Sequence, residues 1–150
     1  MARTEQQRIV AQRRKARHYA MQALYQWQMA GARPMDIEAE FRTDYDFDAV
    51  DLEYFQSIVH GVPPLVEELD GLYASFLDRQ LKELDPIELA LLRMGAFELR
   101  ERIDVPYRVV INEAVALAKK FGAADSFKYI NGVLDRLARQ LRGPEVGAGN

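Results

Sequence analysis

Asp104-Val105-Pro106-Tyr107-Arg108-Val109-Val110-Ile111-Asn112-Glu113-Ala114-Val115-Ala116-Leu117-Ala118-Lys119-Lys120-Phe121-Gly122 is the stretch on which the fold class turns. Its centre, Val109-Val110-Ile111, is β-branched and reads locally as a strand. The residues that follow decide otherwise. Ala114, Val115, Leu117, Ala118 and Phe121 continue at helical steps as far as a stop at Gly122. The segment is a helix, opened by Asp104-Val105-Pro106, and no convincing strand or hairpin signal stands elsewhere in the chain.

Working outward, the neighbours are helices too. Downstream, Asp125 and Ser126 are placed to cap a last helix. Its apolar face is Phe127, Ile130, Leu134, Leu137 and Leu141, spaced alternately by three and four, and Gly143-Pro144 stops it. Upstream, Asp85-Pro86-Ile87-Glu88 combines an N-cap, a proline at the first helical position and a glutamate placed for a capping box. The helix it opens runs to about Arg100. It is apolar on most of its circumference, which makes it central and buried. Gly95 within it allows a neighbouring helix to approach closely. Further upstream, residues 48 to about 77 form a long helical stretch that Gly61-Val62-Pro63-Pro64 is expected to kink or break. Pro34 to Tyr45 is a short acidic helix, and an opening helix ends at Gly31. The expected fold is all-α, with about seven helices in two small packed helical subdomains, residues 11–77 and 78–142. A flexible arm, 1–10, and a flexible tail, 143–150, flank them.

With 150 residues and 49% apolar content the chain can bury a proper core. It has no cysteine, hence no disulfide, thiolate nucleophile or thiolate metal site. No apolar run approaches membrane-spanning length and the N-terminus carries no apolar signal region, so the expected setting is the cytoplasm. His18 and His60 stand apart from any recognisable catalytic or metal-binding spacing, and no glycine-rich phosphate loop exists. The chain is read as a non-enzyme needing neither metal nor cofactor. His60 is assigned a structural role near the expected kink.

Net charge is −3, which argues against nucleic acid, but its distribution is polarised. Residues 1–20 hold Arg3, Arg8, Arg13, Arg14, Lys15 and Arg17 against Glu5 alone, whereas residues 34–70 hold eleven carboxylates against Arg42. On the opening helix Ala16, Tyr19, Ala20, Ala23, Leu24 and Trp27 make the stripe expected to face the core. Arg14, His18, Met21 and Tyr25 share a second stripe on roughly the opposite side. Cations beside an aromatic ring suit phosphates and unpaired bases. Arg13, Arg14, Lys15, Arg17, His18 and Tyr25 are therefore candidate nucleic-acid contacts. A second candidate is the turn from Lys119 to Tyr129, with Lys119, Lys120 and Lys128 beside Phe121, Phe127 and Tyr129. A basic amphipathic helix could equally bind a membrane surface or an acidic protein, and Phe121 and Phe127 could be core. The acidic region supports an alternative in which the chain is a helical adaptor for a basic protein, with RNA secondary.

These segments resemble the NusB family of transcription antitermination factors. Arg13-Arg14-Lys15-Ala16-Arg17 with Ala23-Leu24-Tyr25-Gln26, then Leu84-Asp85-Pro86-Ile87-Glu88, Asp104 to Ala114 and Phe121 to Asp135 carry the resemblance. It implies an all-helical protein of two subdomains that is not an enzyme. It also implies pairing with NusE, a ribosomal small-subunit protein, on single-stranded boxA RNA. With other Nus factors the pair modifies RNA polymerase for read-through of terminators, notably in ribosomal RNA operons. Arg13, Arg14, Lys15, Arg17 and Tyr25 match the family's RNA-contacting helix, Phe121, Asp125, Lys128 and Tyr129 its second RNA patch, and Glu88 its NusE contact. The segment before Arg13 is longer than in the family's shortest forms. Monomer and self-associated forms are both compatible with the resemblance.

Overall fold

The computed structural model describes residues 4–148. Among these residues it forms seven α-helices and no strand: α1 (Glu5–Ala30), α2 (Pro34–Asp44), α3 (Leu52–Tyr73), α4 (Pro86–Glu101), α5 (Tyr107–Phe121), α6 (Ser126–Leu141) and α7 (Gly143–Ala148). Two short 3-10 turns, Ala74–Phe76 and Leu81–Glu83, lie between α3 and α4. The all-α expectation holds. Val110 and Ile111 of α5 are buried, while Val109 on the same turn is exposed, as a helix and not a strand distributes them.

Three boundaries differ from the sequence reading. Residues 5–10, expected as an arm, are helical. Thr4 Oγ1 accepts from the Gln7 amide at 3.1 Å and the Gln7 side chain accepts from the Thr4 amide at 3.0 Å, a reciprocal cap that starts α1. At the other end α7 occupies residues expected to be tail. Residues 1–3 and 149–150 lie outside the described residues. Third, α3 runs unbroken through Pro63-Pro64. Proline's fixed φ fits a helix; what it removes is a backbone donor, here two in succession. Burial of Val59, Val62 and Leu69 on either side holds the segment helical. The chain does divide here, into compact units Met1–Pro63 and Pro64–Asn150, and not near residue 77.

In the first unit Gly31, at φ 72°, closes α1, its amide donating to Trp27 O at 2.9 Å. The α1 stripe Ala16, Ala20, Ala23 and Leu24 is buried as expected. Tyr19 leads a ring cluster, stacked on Phe47 at 5.3 Å and edge-on to Phe41 at 6.4 Å; Phe41 and Phe47 each reach Phe55 of α3. Glu38 of α2 meets His60 of α3 at 2.6 Å, Gln56 at 2.9 Å and Arg42 at 3.1 Å. Burial works against the Glu38 charge, but these hydrogen bonds outweigh it and hold its pKa below the ordinary value. His60 thus ties α3 to α2; its role is structural, with α2 as the partner.

The second unit is built on α4, α5 and α6, each packed on the other two. Helix α4 is its buried centre: Ala90, Leu91, Leu92, Met94, Ala96 and Leu99 are all inaccessible. Gly95 is the point of closest approach, since a Cβ there would lie 2.8 Å from Leu134 Cδ1 of α6. The α6 core face is Ile130, Val133, Leu134, Leu137 and Ala138; Phe127 and Leu141, expected in it, are half-buried. Arg142, which the sequence reading did not single out, is 6% exposed. Its Nε donates to Leu99 O, Nη1 to Val105 O and the Glu145 carboxylate, and Nη2 to Glu98 O and Arg102 O, at 2.8–3.3 Å. Every guanidinium donor is used, and a cation sits where the α4 carbonyls end.

Candidate nucleic-acid interface

The basic block of α1 divides by helical phase. Arg14 and Lys15 are exposed, and Tyr25, 38% exposed, follows on the helix surface. His18 is half-buried and edge-on to Tyr19 at 5.1 Å. Arg17 is not on the surface. It is 2% exposed, its Nη2 donates to Tyr54 Oη at 3.3 Å, and its guanidinium lies 5.0 Å from that ring's centre. Arg13 lies over the same ring at 4.4 Å and reaches Asp51 at 3.6 Å through an Nε that has no hydrogen-bond partner. Two of the four block cations therefore anchor α1 to the start of α3. Met21, expected beside Arg14 and Tyr25, is buried in the core, and Trp27 is half-buried instead of fully enclosed. The stripe reading placed one face too simply: Arg17, Ala20, Met21 and Leu24 lie at steps of three and four, as a buried stripe does.

In the second unit the turn after α5, the start of α6, the first turn of α4 and Arg79 surround a concavity of about 710 Å³. Arg79, Glu88, Asp125, Lys128 and Tyr129 line it, with small residues between. The structure so brings Glu88, read from the sequence as a separate partner contact, beside three candidate RNA residues. Glu88 is 7% exposed. The α4 cap bond runs from Ile87 N to Asp85 Oδ1 at 2.8 Å, landing one residue short of the Glu88 amide that a capping box uses. Asp125 occupies the N-cap position of α6 without making a side-chain cap bond. Its carboxylate is 84% exposed and stands 3.6 Å from Lys128 Nζ.

Tyr129 is held on two sides. Its hydroxyl accepts from the Asp78 amide at 3.4 Å and the Arg79 guanidinium covers its ring at 4.6 Å. Burial, the largest influence, pushes its phenol pKa up, so the ring stays neutral. Arg79 was missed by sequence reasoning because it lies between two irregular turns, where no periodicity assigns a face. Phe121 is half-buried with Lys120 Nζ at 5.4 Å from its ring centre, and Lys119 covers Phe127 at 4.8 Å. Among the described residues no group of His, Cys, Asp and Glu could hold a metal ion, and no helix is long and apolar enough to cross a membrane.

The described residues form an all-helical fold without a strand. A family model described as NusB family matches residues 14–139, and the chain belongs to that family. It is 62% identical over 134 residues to the transcription antitermination protein NusB of Alcanivorax borkumensis, covering 89% of each chain. It is 57% identical over 141 residues to that of Hahella chejuensis, covering 94% of this chain and 95% of the other. The fold matches a solved structure of T. maritima NusB with a TM-score of 0.74 at 28% identity, covering 85% of this chain and 90% of that one. Its relatives are transcription antitermination factors, not enzymes.

Proposed function

We propose that the chain acts in the cytoplasm as an antitermination adaptor. It binds boxA-type single-stranded RNA together with NusE, and through other Nus factors helps RNA polymerase read through terminators, especially in ribosomal RNA operons. The observation that carries this reading is the exposed set Arg14, Lys15 and Tyr25 on α1, within a chain of the NusB family. The cations neutralise phosphates and the ring offers a stacking face. Lys120, Phe121, Lys128 and Tyr129 offer the same chemistry in the second unit, and Glu88 supplies the contact for NusE.

The alternative, an acidic surface for a basic protein with RNA secondary, loses much of its support. Within residues 34–70, Asp36, Glu38, Asp51, Glu68 and Asp70 are already paired with arginines of this chain. Arg14→Ala with Tyr25→Ala tests the RNA reading. The double variant is expected to keep its helical spectrum and to lose about tenfold or more in boxA affinity, from a base stack worth ~1–3 kcal/mol and one phosphate contact. Undiminished affinity would refute the proposed surface.

A further inference from the structure

Helix α1 begins nine residues before the segment matched to the family, and a groove spans the junction between the two. The groove encloses about 460 Å³ between Arg8, Gln12, Arg14 and Lys15 of α1 and Asp48 and Ala49 of the segment before α3. Arg8, Gln12 and Lys15 recur at steps of four and three, so they share one helix face. Three cations face one carboxylate. The far wall is fixed and not incidental: the Asp51 amide donates to Gln12 O at 3.1 Å, and Arg13 pairs with Asp51. A second hollow of about 420 Å³, lined by Gln6, Gln7 and Val10, adjoins it through Arg14. Arg8 pairs with Glu5 at 3.2 Å, with both side chains more than half exposed, and an ion pair of that kind is weak. It stands ~9 Å along the axis from Arg14.

We infer that this groove binds a further stretch of single-stranded RNA, adjoining the segment held by Arg14, Lys15 and Tyr25, with Arg8 on a phosphate and Gln12 hydrogen-bonding the sugar or a base edge. The inference rests on the RNA reading above. Its phosphate chemistry is that of a polyanion crossing a shallow basic channel, and every added phosphate contact adds salt dependence.

The test measures binding of three RNAs: a boxA core, the same core lengthened at its 5′ end, and the core lengthened at its 3′ end. The parent chain is compared with Arg8→Ala/Gln12→Ala, in which Arg14, Lys15 and Tyr25 are intact. One lengthened RNA is expected to bind the parent several-fold more tightly than the core. The variant is expected to bind the core like the parent, to lose that gain, and to show a salt slope on the lengthened RNA shallower by roughly 0.7. Arg8→Lys should keep most of the gain, since it restores the charge, whereas a merely helix-stabilising arginine would show no length dependence. Equal binding of core and lengthened RNAs by the parent, or a gain retained by the variant, overturns the inference while leaving the RNA reading standing. A loss confined to NusE capture also overturns it, making the groove a protein contact. A parent that binds no core RNA overturns both.

Discussion

Arg14 and Arg17 stand three positions apart on α1 and have opposite fates. Arg14 is exposed, whereas Arg17 is enclosed against Tyr54. Composition announced a basic block, but only helical phase separates a phosphate contact from a core anchor, and phase was blurred by reading Met21 as outward. Asp125 is the converse case. A carboxylate ahead of a helix reads as a cap, yet this one makes no cap bond and remains 84% exposed beside Lys128. It places a negative charge in a surface proposed for a polyanion. Asp125→Asn is therefore expected to tighten RNA binding, by about fivefold for a charge effect of ~1 kcal/mol. Thermal stability should stay within roughly 0.5 kcal/mol of the parent, as for surface changes away from such features. Weaker RNA binding by the variant would show that Asp125 contributes an acceptor to the RNA.

The helices were legible because apolar residues recur at steps of three and four through α4, α5 and α6, and because Gly31 and Asp85-Pro86 mark ends in unmistakable chemistry. The misreadings have physical causes. The first turn of α1 is polar and shows no stripe; its only signal is the Thr4-x-x-Gln7 cap. Pro63-Pro64 looked like a break because local rules omit the burial of Val62 and Leu69 around it. Arg142 belongs to no periodic pattern, yet it closes the end of α4 with all its donors. Arg142→Met is expected to cost about 3–5 kcal/mol, the scale of breaking a buried charged network, and denaturant unfolding measures it. In the first unit, the depressed pKa of Glu38 means that the unfolded chain takes up its proton first on acidification. Stability from the Glu38 network is present above the ordinary carboxylate value of 4.5 and is lost as pH falls through the lower folded value. Glu38→Gln should therefore be less stable than the parent near neutrality and show a flatter decline below about pH 5.

At the scale of the whole molecule a net charge of −3 conceals a basic helix and an acidic stretch in which five of eleven carboxylates pair with the chain's own arginines. An overall acidic protein can bind RNA only where its cations are concentrated, and such binding is sensitive to salt and strengthened by a partner that adds contacts. The most direct test of this account is the affinity of the chain for boxA RNA and for a scrambled RNA of equal length, alone and with NusE, at low and near-physiological salt. The account predicts preference for boxA, an affinity that falls as salt rises, and tighter binding when NusE is present. Equal affinity for both RNAs with no response to NusE would contradict it.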